Sequence, residues 1–449
     1  MDGKQLRQLK PELDAFLKRY LPLFGRDENH EHAERFVQGL LGGGQDRRNV
    51  ENIAEVVEGG VVRTMQKFVT QGAWDGAAIL QEGRTHIAET LGDERGTINI
   101  DETGFPKQGK KSVGVKRQYS GTLGRVGNCQ IGVFANYYST KGHTLIDRRI
   151  YLPEEWCQDW QRREQAGVPE NVVFRTKPEL GLEMLRTAVS EQFPFQWVGG
   201  DSIYGDSPTF VQGVRELGKW YVLDVSSEAH VWLEEPQVGK PGPRGGRAQP
   251  KTKPIPVPEA AAQLSPSAFR RLTVSDGSQG PIVYEYAEMT VWFSEEGYPT
   301  EQPERLLVRR SLNQDAELKY HRSNAPPKVT LQRLAEQRAC RWSIEDDIKA
   351  SKGQCGLDEY ETRGWMGWHH HTALSMLALL FLVLQKLRLG KKSPPDDGSG
   401  SSRGSSSPTR SAQVGRGRNR QMEQLAHGSQ PRRKGVPSGT ASRRTKPAQ

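Results

Sequence analysis

The sequence predicts an α/β fold, and three observations point to it. Apolar residues recur at helical spacing through the first 95 residues, strand-like runs begin at Thr97, and helices and strands alternate between about residues 178 and 225. A chain of 449 residues has ample material for a buried core and more than one such unit.

The elements follow in order. Leu13, Phe16, Leu17, Tyr20 and Leu21, and then Ile53, Val56, Val57 and Val61, mark helix faces on either side of Gly42, Gly43 and Gly44, which predicts a helical N-terminal domain over 1–95. Such a domain suits DNA-end binding, packing or dimerisation. The core begins at residue 96. Thr97-Ile-Asn-Ile-Asp101 is a short β-prone run ending in an acid, and Cys129 to Tyr138 and Leu145 to Leu152 complete a three-stranded meander. A helix near Pro178 to Glu191, a strand Phe195 to Asp201, a helix near Ser207 to Leu217 and a strand Trp220 to Val225 take the core to residue 225. The order β-β-β-α-β-α-β matches an RNase H-like sheet. Residues 226–328 then interrupt it. Gly239 to Pro258 is a Gly-, Pro-, Lys- and Arg-rich loop, whereas Ile282 to Phe293 and Glu304 to Ser311 are strand-like, so the segment is a β-rich insertion. A long helix from about Leu331 toward Lys352 and an apolar helix around Leu374 to Leu389 return the chain to the core over 329–390.

Residues 391–449 are Ser-, Gly-, Pro- and Arg-rich and predict a disordered tail. They carry thirteen Lys plus Arg against three acids, +10, so the net +9 of the whole chain leaves −1 for the remainder. A near-neutral body with a basic arm fits a nucleic-acid partner or, more blandly, a solubilising tail. The longest apolar run, Ala373 to Leu384, is too short to span a bilayer and reads as a buried helix, so no membrane partner is expected. Without a visible secretory signal, and with four scattered cysteines lacking a CxxC pair, the expected location is cytoplasmic, associated with the nucleoid.

Cutting and rejoining a DNA phosphodiester needs an activated oxygen nucleophile, charge stabilisation at phosphorus and help for the leaving oxygen, and two metal ions held by shared carboxylates supply all three. Acids on separate rigid elements are therefore the feature to seek. Asp101 and Asp201 each end a strand. Glu345 supplies the third, because Arg338, Arg341, Glu345 and Lys352 fall at offsets of three, four and seven along one helix face, placing beside a carboxylate cations able to hold DNA phosphates. After Asp101, Lys107, Lys110, Lys111, Lys116 and Arg117 stand among glycines, where cations and backbone can approach phosphates. Gly104, Gly109 and Lys110 come near a nucleotide P-loop, but Lys111 occupies the Ser/Thr position and no helix follows, so no nucleotide cofactor is expected. His369, His370 and His371 are consecutive on a helix and cannot face one ion, which favours packing or a DNA contact. Trp342, Trp365 and Trp368 read as core or helix-packing residues rather than base-stacking ones.

Taken together, Asp101-Glu-Thr-Gly-Phe-Pro-Lys-Gln-Gly109, Val115 to Gly124, Asn128-Cys-Gln130, Gly200-Asp-Ser-Ile-Tyr-Gly205, and Arg341-Trp-Ser-Ile-Glu345 continuing to Lys352, Gly356 to Glu361 and Trp365 to His371 resemble the DDE-type insertion-sequence transposases with a β-insertion between the second Asp and the Glu. The resemblance covers roughly residues 95 to 385. It implies an Asp101, Asp201, Glu345 triad holding two Mg²⁺ ions, with Mn²⁺ an alternative, and cut-and-paste transposition acting on duplex transposon ends and target DNA as a homodimer. The family's third motif runs Tyr, two residues, Arg, three residues, Glu, six residues, Lys. Arg341, Glu345 and Lys352 fit it, and Arg338 stands at the Tyr position. The alternatives are a domesticated or inactive relative that only binds DNA and a carboxylate-pair glycosidase. The complete triad disfavours the first, and the cations around Asp101 and Glu345 disfavour the second.

Overall fold

Period-two alternation in Thr97-Ile-Asn-Ile builds the central strand. Ile98 and Ile100 are buried in a hydrophobic cluster on one face, while Thr97 and Asn99 hydrogen-bond to Gln337 and Ser343 on the other. In the computed structural model, which describes residues 3–42, 47–240, 247–277, 280–313 and 316–390, this run opens β1 (Thr97–Pro106). The strand continues five residues past Asp101, longer than the sequence suggests. Gly104 and Pro106 are poor strand formers, but β3 pairs with β1 along its full length and overrides local propensity.

The chain is a mixed α/β structure. Among the described residues five α-helices come first: α1 (Gly3–Leu17), α2 (Asp27–Gly42), α3 (Val50–Val56), α4 (Val62–Gln71) and α5 (Gly76–Leu91). After β1 come β2 (Lys116–Ser120), β3 (Arg125–Ser139), β4 (Gly142–Tyr151), α6 (Glu154–Gln158), α7 (Trp160–Ala166), α8 (Lys177–Ser190), β5 (Trp197–Gly200), α9 (Ser202–Gly205), α10 (Pro208–Glu216) and β6 (Trp220–Val225). β4 and β1 flank β3 in antiparallel pairs, and β1, β5 and β6 run parallel in that order. β2, which the sequence reading did not anticipate, forms a hairpin with the start of β3.

The segment after β6 contains β7 (His230–Trp232), β8 (Ile255–Pro256), α11 (Val257–Ala261), β9 (Arg270–Gly277), β10 (Gly280–Glu295), β11 (Tyr298–Pro299), β12 (Glu304–Arg310) and β13 (Leu318–Ser323). β13 pairs antiparallel with β6, and β12 and β10 follow outward, so these strands continue the core sheet. A buried ion network holds the join. Arg322 donates to Glu304 and Glu295, Arg215 on α10 pairs with the same two acids, and Arg322 Nη1 donates to Gly205 O at 3.2 Å.

The expected helix from Leu331 to Lys352 is two helices, α12 (Leu331–Ala339) and α13 (Trp342–Cys355). No Gly or Pro marks the break. It arises because the junction tightens to three-residue hydrogen bonds, Arg341 N to Arg338 O, Ser343 N to Cys340 O and Ile344 N to Arg341 O. Residues three apart eclipse in such a turn, so Arg338 and Arg341 stay on one side.

The final helix, α14 (Trp365–Gly390), begins nine residues before the expected apolar stretch. Among the described residues it is the one helix long and apolar enough to cross a membrane, yet Trp368, Leu374, Leu377 and Phe381 are buried against Leu17, Phe36, Met65, Phe68 and Leu80 of the N-terminal helices. The four cysteines are free thiols. The tail expected over 391–449 lies outside the described residues.

Candidate functional site

Register brings the acids together. Ile100 on β1 pairs with Gly200 on β5, and Gly200 pairs with Leu223 on β6, so the next residue on each of three parallel neighbours is an aspartate: Asp101, Asp201 and Asp224. Adjacent strands lie about 4.8 Å apart, so the three aspartates stand at one level of the sheet on neighbouring strands. Asp201 also caps α9, accepting from Ile203 N at 3.0 Å. Two glycines permit this approach. A Cβ on Gly199 would fall 2.1 Å from Asn99 Oδ1, and one on Gly205 would fall 1.9 Å from the Asp224 carbonyl. Glu102, next to Asp101, is bound instead by Lys177 at 2.7 Å and the buried Tyr204 hydroxyl at 3.2 Å.

Helix α13 carries Glu345 to the same place through Arg341, which occupies the N-terminal boundary of that helix. Arg341 Nη1 donates to Asp101 Oδ2 at 3.1 Å, Nη2 donates to Glu345 Oε1 at 2.8 Å, and Nε lies 3.9 Å from Asp224 Oδ2. Asp101 and Glu345 are thus bridged by a guanidinium. Glu345 is the most open member, its side chain 60% exposed against 17% for Asp101. Among the described residues no group of three His, Cys, Asp or Glu side chains is drawn close enough to hold a metal ion. Arg341 supplies the positive charge between Asp101 and Glu345.

Asp224 was not singled out from the sequence, although like Asp101 and Asp201 it follows a β-prone run, here Trp220-Tyr-Val-Leu223. It accepts from Arg338 Nε and Nη2 at 3.1 and 2.9 Å and from His321 Nδ1 at 2.8 Å. Arg338, expected at the DNA, is therefore engaged in a bidentate ion pair.

Burial pushes the Asp101 carboxyl up to about 7; Arg341 opposes the rise, and Asp201 and Glu102 add to it. Burial and then Glu102 raise Asp201 to about 6. Asp224 moves the other way. Burial would raise it too, but Arg338, His321 and Arg341 outweigh that cost and hold it well below the usual carboxylate range.

Of the remaining cations, Lys110, Lys111 and Arg117 are exposed on the β1–β2 connection and β2, and Lys116 pairs with Glu155 at 3.0 Å. Lys107 turns inward, donating to Tyr360 O at 3.2 Å over the Tyr360 ring, and burial lowers it to about 8. Lys352 Nζ donates to Gly104 O and Thr122 Oγ1, tying α13 to the β2–β3 hairpin beside the acids. That hairpin exposes Tyr119 and Val126, cross-strand partners on the face that also carries Arg117. Gly104 sits within β1, and the chain after Lys111 leads to β2 rather than to a helix. His370 and His371 are buried, bonded to the backbone oxygens of Val69, Trp74 and Gly356. Trp368 is core as expected. Trp342 differs: it is 45% exposed, edge-on to His143 beside Arg341.

Residues 19–281 match the family model described as DDE superfamily endonuclease. Over 188 residues the chain is 30% identical to the probable transposase for insertion sequence element IS701 of Microchaete diplosiphon, a match covering 41% of this chain and 46% of that protein. The chain thus spans about half the length of this curated relative. A solved structure of the NurA nuclease from Sulfolobus solfataricus aligns over 71% of this chain and 94% of its own at 10% identity, with a TM-score of 0.25, too low to carry an argument.

Proposed function

The chain belongs to the DDE superfamily of endonucleases, and from that premise we propose that it is a transposase that cuts and rejoins DNA strands at Asp101, Asp201 and Glu345. The observation that carries the reading is the register: Asp101 and Asp201 follow paired residues on parallel strands, and Arg341 links Asp101 to Glu345. The strand order β4-β3-β1-β5-β6, with only β3 antiparallel to its neighbours, supports an RNase H-like core.

The donors fit divalent cations. Carboxylate oxygens are the hard ligands that Mg²⁺ or Mn²⁺ prefers, and Asp101 and Asp201, raised chiefly by burial, are carboxylates whose charged form gains from a nearby cation. Two such ions, when bound, would activate the attacking oxygen and neutralise charge on the phosphate. The protein's own part is positioning. The sheet sets Asp101 and Asp201 on neighbouring strands, Arg341 ties Glu345 of α13 to Asp101, and in this reading Arg341 and Lys352 are the cations that would meet phosphate oxygens. Exposed Lys110, Lys111 and Arg117 offer phosphate contacts on the adjoining loop and hairpin. Duplex transposon ends and target DNA, paired within a homodimer and moved by cut-and-paste strand transfer, complete the proposal.

Purified protein on duplexes bearing candidate terminal repeats should nick and join strands in Mg²⁺ or Mn²⁺ and stop on chelation. Asp101→Ala and Asp201→Ala should each abolish both steps while retaining DNA binding, because affinity comes from dispersed phosphate contacts. Full strand transfer by either variant would remove that residue from the site, and binding without cleavage by the parent protein would favour an inactive DNA-binding relative.

A further inference from the structure

Arg341 occupies a contested position. Its guanidinium satisfies Asp101 and Glu345, two of the carboxylates assigned above to cation binding, so a divalent ion and Arg341 compete for the same oxygens. One edge of the guanidinium is unused. Arg341 Nε has no hydrogen-bond partner although it is buried, and it faces Asp224 Oδ2 at 3.9 Å.

Asp224 has capacity left to receive it. A carboxylate offers about four lone-pair directions. Oδ1 accepts from His321 Nδ1 and Arg338 Nε, and Oδ2 accepts from Arg338 Nη2, which leaves one direction on Oδ2, the atom that lies 3.9 Å from Arg341 Nε. A shift of about 1 Å would bring that pair to hydrogen-bond distance. The tight turn between α12 and α13 keeps Arg338 and Arg341 on one side, so Asp224 meets both arginines at once.

We propose that Arg341 is a latch on the carboxylate site and Asp224 its dock: without metal the guanidinium bridges Asp101 and Glu345, and cation binding transfers it to Asp224. Asp224 is then a positioning residue that frees ligands by taking up the cation that competes for them. This rests on the reading of Asp101 and Glu345 as metal ligands.

The test is Mn²⁺ binding to the full-length protein without DNA, measured by titration calorimetry for the parent, Arg341→Ala, Asp224→Asn and the double variant. Arg341→Ala should tighten Mn²⁺ by about tenfold, the scale of one charge-assisted contact. Asp224→Asn should weaken it several-fold in the parent and by under about twofold in the Arg341→Ala background, since no latch then remains to dock. An equal loss in both backgrounds would reduce Asp224 to a general negative charge and overturn the proposal, as would unchanged or weaker binding by Arg341→Ala. Should Asp224→Asn not fold, ¹⁵Nε-arginine labelling of the parent keeps the question open to measurement. The Arg341 resonance, assigned by its loss in Arg341→Lys, should shift and exchange more slowly with solvent on adding Mg²⁺, and an unmoved resonance in cation-loaded protein would overturn the latch. Failure of every protein to take up Mn²⁺ would instead defeat the metal-site reading on which the latch depends.

Discussion

Three consecutive acids on α13 have three different environments, and the differences separate chemistry from stability. Glu345 is exposed and held by Arg341, Asp346 is exposed, and Asp347 is buried, accepting from Asn136 Nδ2 at 2.8 Å with His143 Nδ1 also at 2.8 Å. Glu345→Gln keeps size and helix propensity, so folding should be intact by circular dichroism while cleavage falls by orders of magnitude. Asp346→Asn should be near neutral in both assays. Asp347→Asn places an amide opposite the Asn136 donor and should cost about 1–3 kcal/mol in urea unfolding, with turnover per folded molecule largely kept. Near-normal cleavage by Glu345→Gln beside a folded but dead Asp346→Asn or Asp347→Asn would overturn the assignment. The residues named from sequence were those with a local signal: an acid following a β-prone run, or an Arg–Glu–Lys spacing along a helix. Asp224 carried the first signal too and was passed over, because its role depends on Arg338, 114 residues away, and His321, 97 residues away. Inward-turned Lys107 shows the converse. Glycine-rich surroundings mark a cation as accessible, but only the packing of Tyr360 decides where its amine goes.

At the level of elements, α14 shows what periodicity can and cannot reveal. Its apolar middle was legible as a buried helix, but the His369-His370-His371 run at its start concealed the first turns, since histidines are ordinarily half-exposed. Here His371 donates Nε2–H to Gly356 O, and burial drives it down to about 4. Its folded value lies below the unfolded value of about 6.5, so the unfolded chain takes up the proton first. The contribution is therefore fully present above pH 6.5 and is lost as pH falls toward 4. His371→Gln keeps an amide donor and removes the titration. Urea unfolding at pH 6.5 and 5 should show the variant losing about 1.5 kcal/mol less than the parent over that interval, and equal losses would show that His371 does not sense the pH. The break between α12 and α13 left no sequence mark because Cys340 and Arg341 both keep helical backbone angles.

Across the whole molecule, the segments that sequence separates are joined by packing. The strands after β6 looked like an insertion because a Gly- and Pro-rich loop precedes them, yet β13 pairs with β6 and the Arg322–Glu304 network is buried beneath that join. Arg322 also reaches Gly205, at the end of the turn that Asp201 caps, so the added strands support the acidic site directly. The N-terminal helices make a similar connection from the other end. Leu17, Phe36, Leu40, Met65, Phe68 and Leu80 share one hydrophobic cluster with Phe105, Phe134, Trp368, Leu374 and Phe381, so β1, β3 and α14 bury part of their apolar surface only in the presence of residues 1–95. Each large side chain in that cluster contributes roughly 1.5–3 kcal/mol when fully buried. Uncovering several at once is comparable to the whole roughly 5–15 kcal/mol that stabilises an ordinary domain. A chain starting at residue 96 should therefore lose cooperative thermal unfolding by circular dichroism and bind a hydrophobic dye, even though it retains Asp101, Asp201 and Glu345. A cooperative transition in that truncated chain would mean that the helices before β1 are dispensable for the fold and serve the protein in some other way.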